Sequence, residues 1–291
     1  MYNKTRVCEC CGKELQYSCA SAWRLAEKNH TLCKSCGIRK RKNKCSDLSV
    51  LLDETPEAYY WMGFLLADGH FSGGRLVLGL SNKDRQHLDK FCKFIKYKGK
   101  VRENKTLGKS TVSAMDKNIV EKICEKFDIK HDKTVNPPNS LSWIPEELLY
   151  CLFAGFIDGD GNISKFSKRN DCFIRIKIHS SWLKILNELA PLFCENKVAS
   201  LNKDGYAELF LTGFEYVKRL KRIFIEKNLP IMDRKWEKID LNLKTKYEIK
   251  RERDEEIPKL LKQGLKVKEI SSFLGVNEIV IYKYKKEHKN D

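Results

Sequence analysis

The sequence predicts an α+β protein made of two copies of one αββαββα unit, with a small cysteine-rich module before them and a small helical module after them. Three observations predict this organisation: an internal repeat, two cysteine pairs near the N-terminus, and helical periodicity near the C-terminus. The predicted modules cover residues 1–47, 48–136, 137–243 and 254–291, with a charged linker or solvated helix at 244–253.

The repeat is clearest at two apolar helices that each end in an aspartate followed by a glycine. The first reads WMGFLLADG over 61–69, and the second reads FAGFIDGDG over 153–161. Thr55 and Pro56 favour a helix start before the first, and Pro145, followed by two glutamates, favours one before the second. We expect each helix to stop at its glycine, because the residue that follows a helix is commonly glycine.

The same order of elements follows each helix. In the first unit the pattern predicts strands at 70–71 and 75–81, a helix at 84–95, strands at 100–102 and 111–114, and a helix at 117–127. In the second unit it predicts strands at 162–166 and 173–179, a helix at 183–192, a hairpin around Asp204–Gly205, and a helix at 214–225. A duplicated unit therefore accounts for most of the chain.

Charge and composition restrict the class of protein. The formal net charge is +17 and the isoelectric point is about 9.3, which favours a polyanionic partner over a merely basic protein. No run of about 18 apolar residues is present, so no membrane partner is expected. The N-terminus lacks an apolar signal segment, so we expect a protein that is not secreted and works in a bacterial or phage-infected cytoplasm or an organellar matrix. The 12 cysteines then indicate metal ligands and small buried residues.

Small residues recur four positions apart in both apolar helices. Gly63 and Ala67 share one helix face, as do Gly155 and Gly159. Such faces let two backbones approach closely, and the simplest partner for one helix is the other. The sequence therefore predicts a helix pair on a pseudo-twofold axis between the units.

The aspartates that end these helices, Asp68 and Asp160, are the candidate catalytic residues. A carboxylate at a helix C-terminus faces the negative end of the dipole and calls for a cation. If the helices pair, both carboxylates reach one interface, where they could hold a divalent metal that activates water against a phosphodiester. The alternative is that both merely solvate helix ends. Asp158 corresponds to Leu66, so we interpret it as structural.

The two motifs resemble the LAGLIDADG motif of homing endonucleases, and the likeness covers roughly 48–243. The resemblance implies a saddle of antiparallel strands on the DNA major groove, Mg²⁺ held by Asp68 and Asp160, and cleavage of both strands. It also implies a basic residue near each scissile phosphate, a role that maps onto Lys133 and Lys235. The alternative is that both are ordinary solvated surface lysines.

Polar residues on the strands are candidates for DNA contact. Alternation in the strand at 173–179 puts three polar residues on one face and the isoleucines on the other. The first unit offers a weaker equivalent, and the loop after 165 adds charge. The candidates are Arg75, Ser81, Lys165, Lys168, Arg169, Arg175, Lys177 and His179. Ser81 and His179 could also position water, whereas the whole face could be an ordinary solvated one. Because the strand faces of the two units differ within one chain, we expect a monomer that binds a long, asymmetric target site on double-stranded DNA.

The cysteine-rich module predicts structural zinc. Cys8, Cys11, Cys33 and Cys36 form two C-x₂-C pairs with a slightly long spacing for a tetrahedral site. Cys10 could substitute for one ligand, and an unmetallated cluster is the alternative. The following basic run includes Arg39 and Arg41, which would contact phosphates or form a flexible linker.

The C-terminal segment resembles a helix-turn-helix. Apolar positions from Val267 to Ile281 suit two short helices joined at Gly275. The second would be the recognition helix, with DNA contacts from Tyr282, Lys283 and Lys285. A helical bundle without DNA contact is the alternative.

Together these features predict a Mg²⁺-dependent, site-specific double-strand DNA endonuclease that also carries structural Zn²⁺. Two other functions remain open at the level of sequence: a non-catalytic DNA-binding transcription regulator and an RNA-splicing maturase. Retention of both Asp68 and Asp160 argues against the regulator, and the extra DNA-type modules argue against the maturase.

Overall fold

A computed structural model describes residues 4–37, 46–165, 172–244 and 246–288. It confirms a mixed α and β architecture with antiparallel sheets. The N-terminal module includes a two-stranded sheet and a helix: β1 Thr5–Val7, β2 Glu14–Gln16 and α1 Ala20–Lys28.

The first repeated unit follows the predicted order of elements. Its helices and strands are α2 Pro56–Asp68, β3 Gly69–Ser72, β4 Arg75–Ser81, α3 Arg85–Phe94, β5 Arg102–Asn104, β6 Lys109–Met115 and α4 Lys117–Lys126. The side chain of Thr55 accepts a hydrogen bond from the Ala58 amide (3.3 Å) and Pro56 follows it, so the predicted start of α2 is confirmed.

The second unit has the same sequence of elements up to a short additional helix. Its members are α5 Glu146–Asp160, β7 Gly161–Lys165, β8 Cys172–Ile178, α6 Leu183–Leu189, β9 Ser200–Leu201, β10 Ala207–Leu211, α7 Phe214–Glu226 and α8 Asp233–Trp236. The helix predicted to reach residue 192 changes to a 3₁₀ turn at Ala190–Leu192, where Pro191 lies in its first turn.

Both units form a four-stranded antiparallel sheet with the same strand order. The orders are β3-β4-β6-β5 and β7-β8-β10-β9. In β4 the leucines at 76, 78 and 80 are buried while the alternate positions face outward, and Ile174 and Ile176 are buried in the same way in β8. The apolar faces of both sheets contribute to one continuous core. The predicted alternation is therefore confirmed, and it leaves one polar face on each sheet.

The motif helices, α2 and α5, pack against each other at the centre of this core. A Cβ atom added to Gly63 would lie 1.8 Å from the Leu152 carbonyl oxygen, and one added to Gly155 would lie 1.8 Å from the Tyr60 carbonyl oxygen. A Cβ on Gly159 would lie 2.3 Å from the Ala67 Cβ. The close pairing expected from the small residues is confirmed.

The glycines that end the motif helices serve a different purpose from the expected one. Gly69 and Gly161 have φ of −74° and −79°, so neither adopts the left-handed conformation typical of a glycine after a helix. A Cβ there would instead lie 2.6 Å from the Leu65 carbonyl oxygen or 2.5 Å from that of Ile157. Glycine is required at both positions because the backbone turns there directly from helix into strand and passes close to the last helical turn.

The C-terminal segment consists of three helices, α9 Lys246–Lys262, α10 Val267–Leu274 and α11 Glu278–Glu287. Gly275 between the last two has φ of 63°, which confirms the predicted junction. Helix α9 runs through the boundary predicted at 254, so 246–253 are helical, which is the second of the two alternatives expected for 244–253. A separate small core of Ile257, Leu260, Ile270 and Ile281 holds the three helices together.

Candidate active site

Pairing of the motif helices brings two carboxylates together at their C-terminal ends. Asp68 is the last residue of α2, and Asp160 is the last residue of α5. Burial and the nearby negative charge of Asp68 raise the pKa of Asp160 from 3.8 to about 6. The Asp68 side chain reaches solvent, yet surrounding protein still raises its pKa by desolvation. The site thus concentrates negative charge where water is partly excluded.

The two candidate lysines cap the same helix ends. Lys133 Nζ donates hydrogen bonds to the carbonyl oxygens of Leu66 and Ala67, both at 2.7 Å. Lys235 Nζ donates to four carbonyl oxygens around the end of α5, including that of Gly161 at 2.7 Å. Each ammonium therefore complements a helix dipole at its negative end.

These lysines also interact electrostatically with the carboxylates. Burial lowers the pKa of both lysines, and the charges of Asp68 and Asp160 oppose that shift. Asp160 affects Lys133 more than Asp68 does, whereas Asp68 affects Lys235 more than Asp160 does. The buried Asp158 opposes the shift of the Lys235 pKa more strongly than either, and together with these charges the two lysines and the two carboxylates form one cluster.

A cavity of about 330 Å³ opens beside Asp68. Its walls include the outer face of β4 near Gly79 and Ser81, and the cation of Lys235. Lys109 also lines it, and its positive charge lowers the pKa of Asp68 against the effect of burial. The cavity joins a carboxylate, a hydroxyl and ammonium groups in a space large enough for a phosphate group and water.

Asp158, which the sequence suggested to be structural, is fully enclosed between the units. Its carboxylate accepts hydrogen bonds from the Tyr60 hydroxyl, the Met232 amide and the Trp236 indole, each at 2.7 Å. The Tyr60 oxygen also lies 3.0 Å from His87 Nε2. Because the segment with Met232 and Trp236 also carries Lys235, Asp158 fixes that lysine against the end of α5.

Different contacts hold the two sides of the interface between the units. On one side, Arg234 donates to both carboxylate oxygens of Asp84, at 2.7 and 3.1 Å. On the other, the Trp182 indole donates to the carbonyl oxygens of Lys133 and Thr134. An ion pair on one side and indole hydrogen bonds on the other thus position the two segments that carry Lys235 and Lys133.

The candidate DNA-facing residues lie on the outer faces of the sheets. Arg175 forms a two-point ion pair with Glu208 at 2.9 and 2.7 Å, and Lys177 pairs with Asp204 at 3.0 Å. The ring of His179 accepts from the Ser181 amide and caps the turn after β8. Arg75, Ser81 and Lys165 are exposed at strand ends. Candidates Lys168 and Arg169 lie outside the described residues.

The four candidate zinc ligands are brought together. The sulfur atoms of Cys8, Cys11, Cys33 and Cys36 all lie within 4.8 Å of one another. The Cys33 amide donates to the Cys8 sulfur at 3.2 Å, which contributes most to lowering the pKa of Cys8 to about 6. Cys10 is exposed and is not part of the cluster. Arg39 and Arg41 lie outside the described residues.

In the C-terminal helices, the three candidate DNA contacts are all exposed on α11. Tyr282 is 57% exposed, and Lys283 and Lys285 are exposed as well.

No helix among the described residues is long and apolar enough to cross a bilayer.

Sequence reasoning missed Lys109 and the Asp84–Arg234 pair, which line the cavity. One signal was present: Gly79 interrupts a strand whose equivalent in the second unit carries Lys177, and a glycine within a strand indicates that something approaches it closely. The ion pair between units gave no local signal, because its partners lie far apart in the sequence.

No protein-family model matches the sequence, and no curated protein matches it. Several solved structures resemble the fold weakly. The LAGLIDADG homing endonuclease I-GzeII in complex with its DNA target is 12% identical over 73% of this chain and 92% of its own, with a TM-score of 0.42. A mutant of I-SmaMI is 12% identical over 81% of this chain and 100% of its own, with a TM-score of 0.46. The LAGLIDADG meganuclease I-AabMI bound to uncleaved DNA is 12% identical over 81% of this chain and 98% of its own, with a TM-score of 0.44. Likenesses at this level carry no weight of their own.

Proposed function

We propose that this chain is a site-specific double-strand DNA endonuclease of the homing type. The observation that carries the proposal is the meeting of Asp68 and Asp160 at the paired ends of the motif helices, with a lysine held beside each. A pair of acids in a chain with a net charge of +17 fits a polyanionic substrate better than an acidic or neutral one.

The donor set fits a hard divalent cation such as Mg²⁺. Two carboxylates of raised pKa lie at the paired ends of the motif helices, and ionising both without a counter-ion is unfavourable. When bound, such an ion would lower the pKa of water and stabilise negative charge on phosphate oxygens. The chain contributes Asp68 and Asp160 as ligands, while Lys133 and Lys235 offset negative charge that builds up on the scissile phosphates.

The polar faces of the two sheets are the proposed DNA-reading surface. Arg75, Arg175 and Lys177 point outward there, with Ser81 and His179 at the strand ends nearest the carboxylates. Arg175 and Lys177 are paired with acids in the free protein, so binding DNA would exchange these ion pairs for contacts with phosphates or base edges. Because the two faces differ, the proposed target is long and asymmetric, and a single chain suffices to bind it.

The flanking modules are proposed to extend the contact with DNA. Residues 1–47 would hold Zn²⁺ through the four clustered cysteines, and 254–291 would act as a helix-turn-helix with Tyr282, Lys283 and Lys285 toward DNA. Linking them to the units at 48–136 and 137–243 adds affinity by raising the effective concentration of each module at the site. Such a protein would work in a reducing, DNA-containing cytoplasm or organelle matrix.

The deciding experiment is selection of cleaved sites from randomised duplex DNA in the presence of Mg²⁺. We expect the wild type to cut a defined duplex on both strands. The substitutions Asp68→Asn and Asp160→Asn should retain binding but lower the cleavage rate by at least about 1,000-fold, because each removes a metal ligand. Asp53→Asn, an exposed acid away from the site, is the matched control. A wild type that binds one sequence tightly and never cuts would establish a regulator instead.

A further inference from the structure

The two halves of the candidate site differ in one cation. In the first unit, Lys109 begins β6 opposite Ser81 of β4. Its side chain lies across the neighbouring glycine, since a Cβ on Gly79 would be 2.5 Å from Lys109 Cε and 3.2 Å from its Nζ. Gly79 thus makes room for the ammonium group on the outer face of the sheet, at the cavity beside Asp68.

The Lys109 ammonium group is free to take a ligand. Within the described parts of the chain it has no hydrogen bond and no ion pair, and its residue is exposed. It lines the same cavity as the Asp68 carboxylate. An unpaired cation beside a carboxylate, on the wall of a cavity of about 330 Å³, is suited to bind an anionic group that enters that cavity.

The equivalent positions in the second unit are arranged differently. The register aligns Gly79 with Lys177 and Lys109 with Tyr206. Lys177 Nζ lies 3.0 Å from Asp204 Oδ2 and 4.7 Å from the centre of the Tyr206 ring, so a carboxylate neutralises it and an aromatic face covers it.

We propose that Lys109 binds the scissile phosphate of one DNA strand only, so that the two strands are cut at unequal rates. This inference rests on the proposed endonuclease function and assigns a residue to it. In each cut, a water oxygen forms a bond to phosphorus and one phosphorus–oxygen ester bond breaks. The leaving oxygen gains a proton, and the attacking water loses one to solvent. The ammonium group of Lys109 stabilises the added negative charge on the phosphate during that exchange.

The test measures each strand separately. A duplex carrying a site recovered by cleavage selection is labelled with a different dye on each strand, and single-turnover rates are followed for both. The wild type should accumulate a nicked intermediate cut on one preferred strand. Lys109→Met should slow that strand by about tenfold or more and the other by less than about threefold, and Lys109→Arg should restore most of the difference.

Two controls separate this role from general effects. Lys105→Met removes the same charge from the exposed loop before β6 and should slow neither strand selectively. The affinity of the metal-free protein for the same duplex, measured in EDTA, should fall by less than about tenfold in Lys109→Met, because one phosphate contact is lost among many. Equal slowing of both strands, or of neither, overturns the role of Lys109 while leaving the endonuclease intact. A wild type that cuts nothing overturns both proposals.

Discussion

At the scale of single residues, the candidate site shows a conflict between stability and chemistry. Asp160 is held at a helix C-terminus, partly buried and beside a second acid, and each of these conditions disfavours its charged form. Protein sites that bind cations are commonly destabilised in this way when empty, because the ion supplies the missing positive charge. The raised pKa of Asp160 is therefore a measurable sign of its suggested role.

Replacing Asp160 should stabilise the metal-free protein. The folded-state pKa of about 6 lies above the unfolded value near 3.8, so the charged carboxylate lowers stability above pH 6, and this loss disappears as pH falls from 6 toward 4. At pH 8 we expect Asp160→Asn to unfold at a higher urea concentration than the wild type, with a free energy of unfolding larger by about 1–3 kcal/mol. Near pH 4 the two proteins should be equally stable. Equal stability at pH 8 would contradict this account.

The same shift sets the pH range of metal binding. A carboxylate must lose its proton to hold a divalent cation, so affinity for Mn²⁺ or Ca²⁺ should fall as pH drops through about 6. Calorimetric titration between pH 5 and pH 8 would measure it. Affinity that stays constant down to pH 5 would show that Asp160 does not ligate the ion.

Burial raises the pKa of Asp158 as well, but its substitution should destabilise the protein, because three donors satisfy this carboxylate and would lose it. Asp158→Asn places an amide N–H group against one of those donors, which should cost about 2–4 kcal/mol of unfolding free energy. Urea denaturation would measure the loss, with Asp53→Asn as the control. A loss below about 1 kcal/mol would mean that these hydrogen bonds matter little.

At the scale of elements, the fold depends on how closely α2 and α5 approach. The spacing of Gly63, Ala67, Gly155 and Gly159 was enough to predict the pair, because small residues four apart share one helix face and let two backbones approach closely. The alternating strands were equally readable. The purpose of Gly69 and Gly161 was not, since a sequence cannot distinguish a glycine with positive φ from one that avoids a carbonyl oxygen.

Contacts between the units were also beyond the sequence. Asp68 and Asp160 could be placed together by their matched positions in the repeat. The hydrogen bonds of Lys133 and Lys235 to helix ends, the Asp84–Arg234 pair and the position of Lys109 depend on tertiary geometry that no local pattern encodes.

Gly155→Ala tests the importance of the helix pair. The added methyl group would meet the Tyr60 carbonyl oxygen at 1.8 Å, and the backbone there cannot move without separating the helices. We expect a loss of about 3 kcal/mol or more, or failure to fold. Gly205→Ala, at φ of 78° but with open space around its Cβ, should cost only about 1 kcal/mol. Similar losses for both variants, measured by urea denaturation, would contradict the close approach.

At the scale of the whole molecule, three cores remain distinct among the described residues. One joins the two repeated units, one surrounds the clustered cysteines, and one holds α9, α10 and α11 together. The cysteine core is very small, with Leu15 and Leu32 packed around three buried cysteines. A core of this size needs a metal or another cross-link for stability.

Zinc removal should therefore unfold the N-terminal module and spare the rest. We expect Cys33→Ser to lose bound zinc and make 4–37 sensitive to protease, while the melting of the repeated units changes little. Cys19→Ser, an exposed cysteine outside the cluster, is the control and should keep stoichiometric zinc. Zinc content measured by atomic absorption would decide, and equal zinc in both variants would rule out the four-cysteine site.

The Tyr60–Asp158 hydrogen bond also bears on the ancestry of the duplicated chain. At the matching places the first unit has Leu66 instead of the acid, and the second has Leu152 instead of the phenol. Two copies of the first unit would leave the Tyr60 hydroxyl with His87 but without its carboxylate acceptor, and two copies of the second would leave Asp158 with two of its three donors. Each half therefore supplies a different partner of one buried hydrogen bond, which a pair of identical halves would lose.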